Sequence, residues 1–287
     1  MDCEGENQMF IVTGASTGIG LAIVLELVRR GERVLAGVRS TKDSKKISEL
    51  CINLKGRIET FQLDVTKESD LLGLENFLRD QKAPVRGLVN NAGVVMAGPL
   101  EIMPLDKIKE MFDVNVFGLL RVTQICLPYL RLNRGRIVNM SSISGLTVSP
   151  VLSPYCASKH CVEVFSDALR MELKPWGIEV ALIEPGSIST PIWEKSLYNS
   201  SSELKSLPRE KYGLYEGLLS RFEKLAVAIS KKASSPDVVV EKTIHALFSR
   251  KPKTRYLVGS GARQALIQNW MPDRWRDALV LKYLKSS

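Results

Sequence analysis

The stretch "MFIVTGASTGIG", residues 9–20, joins an apolar, β-branched run to a glycine-rich turn that opens a segment of helical period. Gly14, Gly18 and Gly20 have no Cβ atom, so they permit a tight turn and the close approach of a phosphate. Backbone N–H groups at the start of the following helix attract such an anion. The spacing G-x-x-x-G-x-G lacks the Lys-Ser/Thr pair of a P-loop. The stretch therefore predicts a strand, loop and helix that bind a pyrophosphate, and a purely structural turn is the alternative.

Short apolar runs of the same kind recur along the chain and alternate with segments of helical period. A seventh run follows a helix whose start is indicated by Ser235-Pro236-Asp237. Continuous apolar strands separated by helices are typical of a parallel sheet that is covered on both faces. We predict a doubly wound α/β fold, a single domain over residues 1–287 with a mainly parallel seven-stranded sheet. The runs are "MFIVTG", "RVLAGV", "RIETFQL", "RGLVNN", "GRIVNMSS", "IEVALIEPG" and "TRYLVG".

Two segments depart from this alternation. Residues 187–233 mix Pro, Ser and charged residues with aromatic residues and leucines, and they follow the sixth strand at the end of the sheet where such folds bind ligands. We predict that they form a substrate lid, although the same residues would also suit simple packing on the sheet. Residues 262–287 form a basic, helix-like tail with Trp270, Trp275 and Tyr283. The tail suits peripheral contact with an anionic membrane, and packing on its own domain or on a sister subunit is the alternative.

The charge and the cysteines exclude several classes of protein. The net charge is +9, and residues 231–287 carry 12 Lys and Arg against 4 Asp and Glu. This asymmetry comes without a recognition motif, so we expect no nucleic-acid partner. The five cysteines form no C-x-x-C pair or metal-spaced cluster, which predicts reduced thiols and no metal site. The acidic first residues and the lack of long apolar runs lead us to expect a cytoplasmic protein, with membrane-surface association through the tail left open.

Further motifs follow the glycine loop, and together they resemble the short-chain dehydrogenase/reductase family over at least residues 9–191. The segment "YCASKHCVEVFSDALRMELKPWGIEVALIEPG" most resembles the hydroxysteroid and retinol dehydrogenase branches. The resemblance implies a Rossmann fold and an oxidoreductase that interconverts a carbonyl and an alcohol with a nicotinamide cofactor. We also expect a homo-oligomer. The motifs are Thr13-Gly14-x-x-x-Gly18-x-Gly20, Asp64-Val65, Asn90-Asn91-Ala92-Gly93, Asn115, Ser142, Tyr155-x-x-x-Lys159 and Pro185-Gly186.

Carbonyl reduction needs a proton donor and stabilisation of a developing negative oxygen. Tyr155 is the candidate acid, and lowering its pKa from about 10 to about 7 requires roughly 4 kcal/mol in favour of the phenolate. Lys159 lies one helical turn further on the same face, and its charge, together with that of an oxidised nicotinamide, can supply this stabilisation of the phenolate. The resemblance assigns Ser142 to the substrate oxygen and Asn115 to a water of the proton relay. Surface packing and helix capping are the alternatives for such residues taken singly.

The cofactor preference is predicted from the end of the second strand. An acidic residue there would bind the ribose 2′-OH of NAD, but Val38 takes this position and Arg39 follows. A guanidinium would bind a 2′-phosphate, which favours NADP(H) over NAD(H), unless Arg39 only begins a solvated loop.

The resemblance implies the remaining cofactor contacts. The glycine loop contributes Gly14, Ser16, Gly18, Ile19 and Gly20. Asp64 and Val65 would flank the adenine, although they could simply cap the next helix. Further contacts are assigned to Asn91 near the ribose, to Ile188 and Thr190 at the carboxamide or phosphates, and to Tyr155 and Lys159.

The substrate class is predicted from the aromatic and aliphatic side chains of the lid. They suit a bulky apolar alcohol, ketone or aldehyde, such as a steroid, a retinoid or another lipid-like molecule. Two other functions stay open. One is a ketoacyl reductase acting on carrier-bound chains, and the other is a non-catalytic NADP-sensing regulator of the same fold.

Overall fold

The computed structural model describes residues 8–81, 84–191 and 209–285. Seven strands form one sheet in the order β3-β2-β1-β4-β5-β6-β7, and every neighbouring pair is parallel. The predicted doubly wound sheet is therefore confirmed, including its seventh strand. The strands are β1 (Met9–Val12), β2 (Arg33–Val38), β3 (Arg57–Gln62), β4 (Val85–Asn90), β5 (Arg136–Met140), β6 (Glu179–Pro185) and β7 (Arg255–Val258).

Helices cover both faces of the sheet. The helix predicted after Ser235 begins at Asp237, with Pro236 as its N-cap. The helices are α1 (Gly18–Arg29), α2 (Thr41–Cys51), α3 (Glu68–Gln81), α4 (Leu105–Phe112), α5 (Leu119–Arg131), α6 (Ser153–Glu172), α7 (Arg209–Ser230), α8 (Asp237–Phe248), α9 (Ala262–Asn269) and α10 (Asp273–Lys285). A π-helical turn, Asp113–Gly118, joins α4 to α5, and two 3₁₀ turns are formed by Ile143–Gly145 and Lys174–Trp176.

The central strand β1 shows why the sequence folds this way. All four of its side chains are buried. Phe10 and Val12 contribute to a core with α1, α2 and α8, whereas Met9 and Ile11 contribute to the opposite core with α3 and α5. Successive side chains of a strand point to opposite faces, so a continuous apolar run is needed where both faces are covered.

The described part of the segment predicted as a lid packs against the segment predicted as a tail. Residues 192–208 of the proposed lid, including Trp193 and Tyr198, lie outside the described residues. Leu219 and Phe222 of α7 pack with Leu284 of α10 in a cluster that also contains Tyr155. Within the described residues, none of the helices combines the length and the apolar character needed to cross a membrane.

Candidate active site

The carboxyl ends of the parallel strands meet at one edge of the sheet, and the residues of the predicted site lie along this edge. The glycine loop follows β1, Arg39 follows β2, and Asp64 follows β3. Asn91 follows β4 and Ser142 follows β5. Tyr155 and Lys159 lie in α6, the helix that comes after β5 in the chain. Open α/β sheets bind ligands at this edge.

The glycine loop has the shape of a phosphate cradle. Gly14 and Gly18 have φ angles of 62° and 57°, in the left-handed region that favours glycine. A Cβ atom on Gly14 would lie 2.8 Å from the Ala92 Cα, and one on Gly18 would lie 3.3 Å from the Thr190 side chain. In the described structure the Thr17 side chain forms no capping hydrogen bond at the start of α1. The first N–H groups of α1 are therefore free of that cap and suited to an anion.

Thr13, immediately before the first glycine, holds this loop to the end of β4. Its hydroxyl oxygen accepts hydrogen bonds from the backbone N–H groups of Asn91 and Ala92, both at 3.0 Å. The Asn91 amide donates to the carbonyls of Thr13 at 3.1 Å and Gly14 at 3.0 Å. Asn91 thus has a structural role in shaping the loop. Sequence reasoning did not single out Thr13 as a site residue, although its place beside Gly14 was the signal.

Arg39 and Asp64 are neighbours at the far side of the edge. Arg39 is exposed, whereas Val38, at the position of the missing acid, is buried. Burial alone would raise the pKa of Asp64, but hydrogen bonds from Thr66 and the positive charges of Arg39 and Lys67 outweigh it and hold this pKa below its usual range. Asp64 accepts from the Thr66 N–H at 3.1 Å and from the Thr66 hydroxyl at 2.7 Å, so its side chain shapes the turn that precedes α3.

The other predicted cofactor residues line the same edge. Val65 is buried against Gly118, and Ile188 is buried and paired with Ser234. Ser16 and Ile19 are half-buried in the glycine loop.

Helix α6 places the candidate acid and its lysine. Its first turn contains Pro154, and the buried Tyr155 and Lys159 follow on one face. The Lys159 Nζ lies 5.9 Å from the centre of the Tyr155 ring and donates to the Met140 carbonyl at 2.9 Å. The Ser142 hydroxyl is hydrogen-bonded to the Tyr155 side chain.

The surroundings shift both ionisable groups toward their neutral forms. Burial raises the pKa of the Tyr155 phenol to about 12, with the Ser142 hydrogen bond opposing the rise. Burial lowers the pKa of the Lys159 ammonium to about 8, with the charge of Glu163 opposing the fall. The protein groups alone therefore do not lower the phenol pKa. The lowering predicted from Lys159 and an oxidised nicotinamide together therefore needs Lys159 in its charged form and the charge that the cofactor brings.

Asn115 lies in the π-helical turn, a feature common at functional sites. Its Oδ1 accepts from the Val94 N–H at 2.8 Å, and its Nδ2 donates to the Val94 carbonyl at 2.9 Å and to the Ser158 hydroxyl at 3.0 Å. A Cβ on Gly93 would lie 3.4 Å from the Asn115 Oδ1 and 3.7 Å from the Lys159 Nζ. Both polar atoms therefore border one small space above Gly93. Ser158 was missed because its partner is 43 residues away.

An apolar cluster adjoins Tyr155. It combines residues after β4 with the first turn of α6 and with the helices α7 and α10. The Tyr215 hydroxyl of α7 is hydrogen-bonded to the Glu101 carboxylate, which ties α7 to the segment after β4. The buried members are Val95, Ala97, Ile102, Met111, Val151, Leu152, Tyr155, Cys156, Leu219, Phe222 and Leu284.

Known proteins share this fold and these motifs. The family model of the short chain dehydrogenases matches residues 8–200. Retinol dehydrogenase 16 of Mus musculus is 35% identical over 288 residues, which cover 96% of this chain and 88% of the relative. The NADPH-dependent 3-dehydrocapnine reductase of Ornithobacterium rhinotracheale is 32% identical over 286 residues, 96% of each chain. The crystal structure of a short-chain dehydrogenase from Streptomyces avermitilis has a TM-score of 0.73 and 26% identity, covering 97% of this chain and 96% of that one.

This chain belongs to the short-chain dehydrogenase family. It is therefore an oxidoreductase of the class that acts on CH–OH groups, with a Rossmann fold that binds a nicotinamide cofactor. The glycine cradle, the uncapped start of α1 and the Arg39–Asp64 edge fit such a dinucleotide.

Proposed function

We propose that this protein is an NADP(H)-dependent oxidoreductase that interconverts a carbonyl and a primary or secondary alcohol on a bulky apolar substrate, with Tyr155 as acid and base. One observation carries the proposal: the Tyr155 phenol is hydrogen-bonded to Ser142 beside an apolar cluster, with Lys159 one turn behind it. A phenol in this place can reach a carbonyl that enters from the apolar side. The alternative of a non-catalytic regulator would leave this arrangement without a purpose.

Each of the four residues has a role in this chemistry. A bound nicotinamide supplies or accepts the hydride. Ser142 donates a hydrogen bond to the substrate oxygen, and Tyr155 gives that oxygen its proton during reduction or removes it during oxidation. Lys159 stabilises the phenolate by its charge. Asn115 fixes the backbone at Val94, and because its Oδ1 and the Lys159 Nζ both lie near Gly93, we assign the relay water to this place.

NADP(H) is favoured over NAD(H) by the residues after β2. A carboxylate at position 38 would repel a 2′-phosphate, but this position is the buried Val38, and the exposed guanidinium of Arg39 follows it. The NADPH dependence of the 3-dehydrocapnine reductase supports the same preference. We assign the cofactor contacts to the predicted set: Gly14, Ser16, Gly18, Ile19, Gly20, Arg39, Asp64, Val65, Asn91, Tyr155, Lys159, Ile188 and Thr190.

The apolar cluster supports a steroid, retinoid or lipid-like substrate. A bulky apolar molecule gains most from a pocket whose walls are aliphatic and aromatic, with a few polar groups to orient it. Here those groups are Tyr155, which belongs to the cluster, and Ser142, which is hydrogen-bonded to Tyr155. The name of retinol dehydrogenase 16 agrees with this class.

The proposal is tested by a substrate screen with a matched variant. Purified protein is assayed with NADPH and with NADH against retinoid, steroid and carrier-linked ketoacyl carbonyls. We expect turnover of a free apolar carbonyl with NADPH, and Tyr155→Phe should lower it by about 10³-fold while NADPH binding changes little. Turnover of the carrier-linked substrate alone would instead support the ketoacyl reductase. Unchanged activity of Tyr155→Phe would refute the catalytic assignment.

We also propose that the protein is cytoplasmic and contacts an anionic membrane through α9 and α10. Trp270 and Trp275 are 83% and 70% exposed beside basic residues, although Leu284 of the same tail is packed in the protein. Pelleting with phosphatidylserine vesicles should fall in the double variant Trp270→Ala/Trp275→Ala and persist in the control Trp176→Ala, an exposed tryptophan outside the tail. Equal pelleting of both variants would remove the membrane proposal.

We propose that the protein forms a homo-oligomer through an exposed apolar surface outside the tail. Phe117, Val164 and Phe165 are exposed apolar residues on neighbouring helical elements, where a second copy could cover them. Light scattering after size exclusion should give a multiple of 31.9 kDa, and Val164→Arg should reduce it. A monomeric mass for the unmodified protein would refute this.

A further inference from the structure

Two buried carboxyl groups, of Glu163 and Glu184, lie behind the catalytic pair, outside the site described so far. Glu163 is one helical turn beyond Lys159 in α6, and only 8% of its side chain is exposed. Glu184 lies near the end of β6 and is fully buried. Because the register pairs Leu182 with Asn139 and side chains alternate, Glu184 points to the face that α6 covers.

Arg255 of β7 is the cation that joins these carboxyl groups. Its Nε lies 3.2 Å from the Glu163 Oε2 and 3.3 Å from the Glu184 Oε1. Its Nη2 lies 2.7 Å from the Oδ2 of Asp167, one turn beyond Glu163. Asp167 is partly exposed and also pairs with Arg170 of α6, so Arg255 is the guanidinium that the two buried glutamates share.

The hydrogen bonding of the pair indicates that it retains a proton. Within the described residues, the Glu163 Oε1 and both Glu184 oxygens have no well-formed hydrogen bond, because the Arg255 Nε–H donates to the Glu163 Oε2 and lies 3.3 Å from the Glu184 Oε1. The Ser141 hydroxyl beside Glu163 lowers the pKa of that carboxyl group, against the effect of burial. Ionised carboxylates only accept hydrogen bonds, and a buried charge without donors is costly. A proton on one carboxyl group would supply a donor to the other, and the two are close enough for this bond. Burial and then repulsion from Glu163 raise the pKa of Glu184 to about 8, and burial raises that of Glu163.

The pair acts on the catalytic lysine through charge. Burial disfavours the charged form of Lys159, and the negative charge of Glu163 opposes this. Glu163 also packs beside the 3₁₀ turn Ile143–Gly145, because a Cβ on Gly145 would lie 3.1 Å from both the Glu163 Cγ and the Lys159 carbonyl oxygen. The charge facing Lys159 therefore has a fixed position. The ionisable groups facing the pair are Lys159 and Asp167 from α6 and Arg255 from β7.

We propose that Glu163 and Glu184 share one proton as a buried acid pair and, anchored by Arg255, serve as positioning residues that keep Lys159 cationic during the reaction. This rests on the proposed function, since it assumes that Lys159 tunes Tyr155. Neither glutamate touches the substrate, so both act through the lysine. Loss of the shared proton at alkaline pH would add a second negative charge behind Lys159.

The shared proton can be observed without turnover. Protein labelled with ¹³C at the glutamate side-chain carboxyl carbon is titrated by NMR, and the resonance missing in Glu184→Gln is followed in the unmodified protein. We expect it to titrate near pH 8, and a midpoint below 6 would overturn the shared proton. Lys159→Met should move the midpoint upward by at least half a pH unit, because a nearby cation favours the carboxylate. An unchanged midpoint would overturn the coupling to Lys159.

Kinetics then show whether the pair serves catalysis. In NADPH-dependent reduction, the alkaline fall of kcat should move to lower pH by about one unit in Glu163→Gln, and by less in Glu184→Gln. The control Glu172→Gln, an exposed glutamate at the end of α6, should follow the unmodified profile. A uniform loss at every pH in both pair variants would mean a merely structural role. Failure of every substrate would refute the proposed function, whereas the titration would still test the pair.

Discussion

The pH dependence of stability should change when Glu184 is replaced by Gln. The pKa of this carboxyl group is about 8 in the folded protein against an ordinary 4.5, because the group is buried and next to Glu163. Between these values the folded state holds a proton that the unfolded state has released, so stability falls as pH rises. For one such group the loss from pH 5 to pH 8 amounts to about 3 kcal/mol. Gln keeps the shape and the donor but does not titrate, so Glu184→Gln should lack this loss.

Urea unfolding at pH 5, 6, 7 and 8 measures the effect. The free energy of unfolding of the unmodified protein should decline relative to that of Glu184→Gln by about 1 kcal/mol per pH unit. Glu179→Gln is the matched control, because Glu179 begins the same strand and its side chain is 43% exposed. Its curve should run parallel to that of the unmodified protein. Parallel curves for Glu184→Gln as well would show that Glu184 is ionised in the folded protein and would refute the reasoning.

Three further substitutions test the cofactor edge. Arg39→Ala should weaken NADPH binding about 10-fold in a fluorescence titration and leave NADH binding unchanged, and equal losses for both would contradict a 2′-phosphate contact. Gly18→Ala forces a side chain into a left-handed φ of 57°, so we expect about 1–2 kcal/mol of lost stability by urea unfolding and weaker NADPH binding. Thr13→Val removes the acceptor of two backbone N–H groups, those of Asn91 and Ala92. It should cost about 2–4 kcal/mol, Thr13→Ser should recover most of it, and a neutral Thr13→Val would disprove the role of the hydroxyl.

The sheet could be predicted because its signal is local. A strand buried on both faces needs an uninterrupted apolar run, and β1 satisfies this with the four residues Met9–Val12. The ends of the runs were less certain, since "RGLVNN" extends beyond Asn90, where β4 ends. Side chains past a strand end can still be needed for the site, as Asn91 is for the glycine loop.

The catalytic pair was predictable for the same reason. Tyr155 and Lys159 are four residues apart in one helix, so the helical period alone places them on one face. The Glu163–Glu184 pair carries no such signal, because its members and Arg255 come from α6, β6 and β7. From the sequence alone, Glu184 looks like a polar residue at a strand end, because the sequence does not show that a helix covers it. The sequence could not predict the rise of the Tyr155 pKa either, since this rise depends on how deeply the phenol is buried.

The proton on the acid pair follows from the burial and the closeness of its two carboxyl groups. Glu163 and Glu184 both contact the guanidinium of Arg255, whereas Asp167 is partly exposed and pairs with Arg170 as well. Two adjacent carboxylates repel each other when they are buried, and a proton on one of them removes this repulsion and supplies a donor to the other. Glu184 is the most buried of the three acids, so it retains the proton at the least cost. The ionised Glu163 then faces Lys159 and favours the charged form of the lysine next to Tyr155.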